Sequence, residues 1–461
     1  MSFEFIETEL GNFVEIVTKK CDASIIDVTN YISTENMLPD RQGVTISSGI
    51  PDVNKFNSFE IGDTLFSNIR TYFKKVWFAT FYGGVSPDVL VFRTTHEKLT
   101  SEYLHLILSS DDFINYSHLT SKGAKMPRGD KGAMLSYKIK IPSLKYQKRC
   151  TKLIFTLSKK IDSNNRINQT LEQMAQALFK SWFVDFDPVK AKMAVLDAGG
   201  SQADATLAAM TAISGKDADA LAVFEREHPE QYAELKATAE LFPAAMQDSE
   251  LGAIPKGWGG ASISEMGKVT CGKTPSKKEP EYYGSDVPFI KIPDMHGQLF
   301  VLKTNEYLSE AGSKSQLKKL VPANSICVSC IATIGVVSIT NEPSHTNQQI
   351  NSVTPHKSSL LYYLYFCMLG LKDHLHILGS AGSATLNVNT STFSGIKIAQ
   401  PDAKVLELFH AKCTHLFNEI KSLSVQTESL TQLRDTLLPK LLSGEITLQE
   451  AEQAVSEVEN V

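Results

Sequence analysis

Leu171-Glu-Gln-Met-Ala-Gln-Ala-Leu-Phe-Lys-Ser-Trp-Phe-Val-Asp-Phe-Asp-Pro188, near the middle of a 461-residue chain, has a degenerate second copy, Leu430-Thr-Gln-Leu-Arg-Asp-Thr-Leu-Leu-Pro-Lys-Leu-Leu-Ser-Gly-Glu-Ile446. One constant shift sets Ile161 on Ile420, Ser163 on Ser422, Leu171 on Leu430, Gln173 on Gln432, Leu178 on Leu437 and Phe179 on Leu438. Around the second copy, Leu416, Ile420, Leu423, Thr427, Leu430, Arg434, Leu437 and Leu441 alternate spacings of three and four, which draws one narrow stripe along a helix. Leu157, Ile161, Asn164, Asn168, Leu171, Ala175, Leu178 and Trp182 do the same around the first. Each helix could pack separately on its own domain. A heptad seam is narrower than an ordinary core face, however, and two matched seams favour pairing with each other. Asn164 and Asn168 weaken that seam but help fix its register.

The length allows two or three domains, and 42% hydrophobic with 21% charged residues is the composition of a globular protein. No apolar run approaches membrane-spanning length and MSFEFIETEL is acidic, unlike a signal peptide, so a cytoplasmic protein with no membrane partner is expected. Seven scattered cysteines suit reduced thiols; Cys327 and Cys330 fall on opposite faces of an expected strand and read as structural. Net charge is −5, but it is unevenly spread. Lys+Arg against Asp+Glu is 18 to 17 over residues 1–150, 5 to 4 over 151–189, 5 to 11 over 190–250, 14 to 10 over 251–405 and 4 to 9 over 406–461. The acidity lies in one spacer and the tail, which leaves the two large segments free to present basic faces to DNA.

Residues 1–145 alternate apolar, β-branched runs with turn signals. Val44–Ile46, Thr64–Ile69, Val76–Phe81 and Val89–Phe92 are expected strands, and Leu99–Ile114 one amphipathic helix. Residues 146–189 are the segment of a long helix that runs from about Tyr146 to Phe183 and stops before Asp187-Pro188. Residues 190–256 form an acidic spacer of short helices. Residues 257–405 repeat the first plan, with strands Val287–Ile292, Leu299–Leu302, Ser325–Ile331 and Gly335–Thr340 and a helix Leu360–Leu371. Residues 406–446 form the second long helix and 447–461 an acidic tail. The order domain, helix, domain, helix is that of a duplication.

Gly267-Lys-Val-Thr-Cys-Gly-Lys-Thr274 satisfies the phosphate-loop pattern, yet Pro275 and Pro280 forbid the helix that must start at its Lys-Thr, so the match is read as accidental. No Asn-Pro-Pro-aromatic or Asp-Pro-Pro-Tyr methyltransferase motif occurs, no Ser-His-Asp context, and His374-Leu-His376 lacks a third ligand. The expectation is a chain without catalytic residues, metal or cofactor of its own.

Leu171–Pro188, Asp248-Ser-Glu-Leu-Gly-Ala-Ile-Pro-Lys-Gly-Trp258, Gly272-Lys-Thr-Pro-Ser276 and Leu433–Ile446 occur together in this order. The whole chain thereby resembles the specificity subunit of a Type I restriction-modification system. The resemblance implies an α+β fold: two β-rich target-recognition domains in pseudo-two-fold arrangement, separated by an antiparallel coiled coil of two long conserved helices. It implies a subunit that binds double-stranded DNA at a split asymmetric target and recruits two methyltransferase subunits, with restriction subunits joining the full complex. S-adenosylmethionine, ATP and Mg are then cofactors of those partners. The first domain lacks an Ile-Pro-Lys-Gly-Trp opening and has Lys19-Lys20-Cys21 in place of the Gly-Lys-Thr-Pro loop.

From Leu416 to Leu441 the seam covers 26 residues, about 39 Å of helix. That is close to one turn of B-DNA, about 34–36 Å, so paired helices would space two readers one turn apart. Residues suited to phosphates and base edges are Arg70, Tyr72, Lys74, Lys75, Lys125, Arg128 and Lys131 in the first domain. In the second they are Lys273, Thr274, Ser276, Lys277, Lys278, Tyr282, Lys291, Asn347, Gln348 and Gln349, with Ser383–Ser394 a further polar loop. Leu171, Leu178, Trp182, Phe183, Leu437 and Leu441 are the expected partner-binding positions, Trp182 and Phe183 as large anchors surplus to the seam. Two alternatives are a stand-alone DNA-modifying enzyme, which would need a cofactor or metal site, and a coiled-coil scaffold whose β domains bind proteins.

Overall fold

The alternating apolar spacing predicts two long helices, and both form. In the computed structural model, which describes residues 5–123, 126–380 and 386–459, they are Leu144–Phe183 and Ala403–Ser443. The first stops where Phe186 turns left-handed (φ 56°) and Asp187 opens the next helix with Pro188 in its first turn, where a missing N–H costs nothing. The second runs through Pro439 and ends at Gly444 (φ 78°), a left-handed position that glycine adopts without strain. The chain folds as two units, Met1–Arg166 with Leu423–Val461 and Ile167–Ser422, so the division falls inside both helices.

In the first unit, strands Val14–Ile16, Val89–Thr94, Thr64–Ser67 and Val76–Phe78 form an antiparallel sheet in that spatial order. Lys20–Asp22, Lys55–Phe59, Gly83–Val85 and Tyr31–Ile32 form a second sheet, closed by a parallel pair. Phe66, Phe92 and Phe113 meet edge to face beneath helices Ser101–Ser109 and Asp111–Leu119. The same core takes in Tyr146, Cys150, Ile154, Leu157 and Ile161 from the first long helix and Leu430, Leu437, Leu438 and Leu441 from the second. Tyr146 Oη donates to the Leu441 carbonyl at 3.0 Å and Asn164 Nδ2 to Gln426 Oε1 at 2.8 Å, so numbers rise on one helix as they fall on the other.

Two expectations change here. Val44–Ile46 makes a single bridge, Val44 to Met37, and leaves Ile46 exposed; it is not a strand. Leu99–Ile114 is broken at Ser110, whose extended backbone (ψ 146°) lets its hydroxyl cap the Phe113 N–H and start a second helix.

The second unit repeats the plan. Gly267–Cys271, Ile350–Pro355, Ile326–Ser329, Val337–Thr340 and Phe300–Val301 form its main sheet, and Tyr283–Gly284, Tyr307–Leu308, Val287–Ile290 and His345–Thr346 the smaller one. Helix Leu361–Gly370 is buried along most of its length, as its apolar sequence demands. Residues 167–183 and 403–422 lie antiparallel within this core, with Phe179 and Trp182 against Phe409. The acidic spacer is helical only up to Glu240, in four helices, Asp187–Asp197, Gln202–Ser214, Ala218–Glu227 and Pro229–Glu240, three of them around a small cluster of Ala209, Met210, Leu221 and Ala239. Its end departs from the expected helices, since Met246–Ser249 and Gly252–Pro255 pair as an antiparallel hairpin.

Candidate nucleic-acid interface

In the first unit the two basic loops are built against each other. Ile69 bridges Arg128, the Arg70 N–H donates to the Pro127 carbonyl at 3.1 Å, and Gly129 N–H donates to the Asn68 carbonyl at 3.1 Å. Arg70, Tyr72, Arg128 and Lys131 are exposed on the resulting face. Arg128 is held by Asp88 at 2.9 Å, and Lys122 pairs with Asp130, which also caps the helix that begins at Lys131. Lys74 and Lys75 are committed inside the unit. Lys74 Nζ lies 2.8 Å from Asp111, which Arg41 also holds; although burial raises that carboxyl, the two cations bring it below the ordinary carboxylate range. Lys75 Nζ donates to the Thr34 carbonyl at 2.6 Å, and burial lowers its pKa. Lys125 lies outside the described residues.

In the second unit, the loop after Gly267–Cys271 packs on His345–Gln349. The Lys273 N–H donates to the Thr346 carbonyl at 2.9 Å and Thr274 Oγ1 to Gln348 Oε1 at 2.5 Å. Gly272 makes this possible: a Cβ there would sit 2.1 Å from the Asn347 carbonyl oxygen and 2.3 Å from Thr346 Oγ1. Lys273, Ser276, Lys277, Lys278 and Gln348 are exposed. Asn347 is buried; its Oδ1 accepts the Gln349 N–H at 3.1 Å and its Nδ2 donates to Gln349 Oε1 at 2.9 Å, so it shapes the loop and holds the Gln349 side chain. Tyr282 closes the turn through its carbonyl, which accepts from Ser309 N–H at 3.0 Å. Lys291 is paired with Glu306 and lies over the Phe289 ring.

The two faces share one scaffold. Asn68 N–H donates to the Asp88 carbonyl at 2.8 Å, and Cys330 N–H to that of Gln349 at 2.8 Å; Gly129 donates to Asn68, and Val388 to Cys330 at 2.9 Å. Arg70 (φ 49°) donates to Pro127, and Ala332 (φ 64°) to Leu386 at 3.0 Å, while Ile69 bridges Arg128 and Ile331 bridges Asn387. Arg70 therefore corresponds to Ala332, Arg128 to Asn387 and Asp88 to Gln349. Asn387 lies in the polar loop Ser383–Ser394, but nothing in that stretch of sequence singles it out, because its neighbours look nothing like those of Arg128. The shift that carries Ile161 onto Ile420 also carries Arg128 onto Asn387, and would have found it. Residues 381–385 of the Ser383–Ser394 loop lie outside the described residues.

The expected partner-binding side chains are occupied within the chain. Trp182 is fully buried against Phe242 and Phe409, Phe183 packs on Trp258 and Tyr363, and Leu437 and Leu441 are buried in the first unit. Leu171 and Leu178 are half-buried against the core of the second unit. Trp182 and Phe183 are thus core residues of this chain rather than exposed anchors. The phosphate-loop pattern is mostly strand Gly267–Cys271, with no helix at Lys273-Thr274, as the prolines require. Cys327 and Cys330 lie in separate clusters, both thiols pushed up to about 11 by burial. Among the described residues no group of three His, Cys, Asp or Glu is placed to hold a metal, and no helix is long and apolar enough to cross a membrane.

Comparison with known proteins agrees with this construction. The family description "Type I restriction modification DNA specificity domain" matches residues 4–173 and 255–421. The Type I restriction enzyme HindI specificity subunit of Haemophilus influenzae is 40% identical over 454 residues, 95% of this chain and 99% of that protein. The MjaIX specificity subunit of Methanocaldococcus jannaschii is 22% identical over 355 residues, 76% of this chain and 70% of that one. The crystal structure of a Type-I restriction-modification system S subunit from M. genitalium shares the fold, with a TM-score of 0.53 at 12% identity over 95% of this chain and 96% of that one. Two loop faces on one repeated scaffold, two long helices that follow them, and a match over nearly the whole length lead to one conclusion: this chain belongs to the Type I restriction-modification DNA specificity subunit family.

Proposed function

We propose that the chain reads a split, asymmetric DNA target for a Type I restriction-modification complex, one half-site with each loop face. The observation that carries this is the repeated scaffold: the same backbone hydrogen bonds present Arg70, Arg128 and Asp88 in one unit and Ala332, Asn387 and Gln349 in the other. A shared frame with different side chains suits two readers of different sequences. Arg forks onto guanine O6 and N7, and Asn or Gln onto adenine N6 and N7, each good pair discriminating by about 1–3 kcal/mol. Lys131, Lys273, Lys277 and Lys278 supply the salt-dependent phosphate contacts. The paired helices fix the spacing between half-sites.

Two methyltransferase subunits dock on the outer side of Leu171–Phe186 and of its C-terminal copy. Met174 and Val184, each about half exposed, offer the apolar contacts there, above a helix pair that Leu171, Leu178, Trp182, Phe183, Leu437 and Leu441 hold together. Restriction subunits join through them. The complex works in the cytoplasm, and its S-adenosylmethionine, ATP and Mg are bound by the partners. Selection of bound duplexes from a randomised pool, with methyltransferase subunits present, tests the reading. It should enrich two unlike short sequences separated by an unspecified spacer of fixed length; enrichment of one continuous sequence, or of none, contradicts it.

A further inference from the structure

The loop between Ile69 and Lys75 carries two large rings that the core does not use. Tyr72 is 46% and Phe73 41% exposed. They sit on the short turn Thr71–Phe73, bounded by left-handed Arg70 (φ 49°) and Lys74 (φ 53°). Two non-glycine residues in that region persist only where the surroundings over-determine them, as happens at ligand-contacting loops. Here they do. The Asp40 N–H donates to the Phe73 carbonyl at 2.9 Å, Arg41 N–H to that of Lys74 at 3.0 Å, and Thr71 is buried beneath the turn. Tyr72 rests on Phe73 with centroids 4.8 Å apart and meets His118 edge-on at 5.2 Å.

The loop that carries these rings and the loop bridged to it also carry exposed cations, Arg70, Lys122, Arg128 and Lys131, of which Lys122 is paired with Asp130 and Arg128 with Asp88. Rigid rings among cations match the two chemical faces of a nucleic acid, bases that stack and phosphates that carry charge. The corresponding turn in the second unit begins at Ala332 and carries Ile334, which is buried, so it presents no ring.

We propose that Tyr72 and Phe73 form an aromatic wedge that stacks into one base step of the half-site read by the first unit and distorts the duplex there, with no counterpart at the other half-site. This rests on the reading of that unit as a DNA reader. The test uses the full chain assembled with methyltransferase subunits on a duplex carrying the selected target. Permanganate reactivity of unstacked thymines and a binding titration are measured for wild type, the Tyr72→Ala/Phe73→Ala double variant and Phe73→Trp. Wild type should show a hyperreactive step in the first half-site, distinct from the methylated position. The double variant should lose it and bind about tenfold to a hundredfold more weakly, with unchanged melting temperature because both rings are exposed; Phe73→Trp should retain both properties. Unchanged reactivity and affinity in the double variant would overturn the wedge while leaving the DNA-reading role intact. So would loss of methyltransferase binding with an unaltered footprint, which would make the rings a protein contact. A wild-type complex that protects no particular sequence would refute the DNA-reading role and the wedge with it.

Discussion

Asn164 Nδ2 donates to Gln426 Oε1 at 2.8 Å, joining the two long helices through side chains 262 residues apart. Asn164 is fully buried, at the place where a heptad seam would otherwise carry a leucine or isoleucine. A polar pair inside such a seam specifies one register, because any slip leaves both amides without a partner.

Removing one member should therefore cost more than removing both. Asn164→Ala should lower stability by about 1–3 kcal/mol, the penalty of a stranded amide, whereas Asn164→Leu with Gln426→Leu should melt at the wild-type temperature or above it. Denaturant melts of the three proteins decide this. A neutral Asn164→Ala would show that the bond does not hold the seam.

Gly272 offers a steric test of the second loop face. Its Cβ would lie 2.1 Å from the Asn347 carbonyl, so Gly272→Ala must part the two loops that carry Thr274 and Gln348. Recognition of one half-site should fail while the other is still read. Gly259→Ala, whose nearest neighbour is 3.8 Å away, should be silent. Methylation assays on duplexes altered in either half measure both outcomes.

Arg128 and Gln348 lie on loop faces of different units, so their alanine variants should relax specificity at different half-sites, by about 1–3 kcal/mol each. A competition series with single-base changes reads this directly. Equal loss at both halves for either variant would contradict the division of labour.

Burial, with Arg41 adding to it, lowers the pKa of His105 to about 3. The unfolded chain protonates this imidazole near its ordinary value of 6.5 and the folded one does not. The histidine's contribution is thus complete above about pH 6.5 and is lost as pH falls toward 3, by at most about 1.4 kcal/mol per pH unit. His105→Gln should flatten the acid side of the melting-temperature profile. Parallel profiles for the two proteins would rule the effect out.

The long helices were legible because one face had to repeat over many turns: expected at 146–183, the first is Leu144–Phe183. Ser110 shows the opposite case, a helix break whose signal, Ser before Asp111-Asp112, is a cap hidden inside an apolar period. The basic loops were legible as loops, but not which of their side chains stay outside. Lys74, Lys75 and Lys291 look like phosphate ligands in sequence, yet each is engaged by a carboxylate or carbonyl brought from elsewhere in the fold. Trp182 failed for a related reason. Phe242, which covers it, comes from the far end of the acidic spacer, and the seam pattern carries no trace of that segment.

The central claim is that paired helices set the distance between two independent readers, and inserting one heptad into each helix, opposite one another, tests it most directly. Seven residues lengthen a helix by about 10.5 Å, about three base pairs of B-DNA at roughly 3.4 Å each. Sequencing the methylated sites in cells that express this variant with its partner subunits should return both half-sites unchanged, with the spacer longer by about three base pairs. An unchanged spacer, or half-sites of altered sequence, would contradict the account.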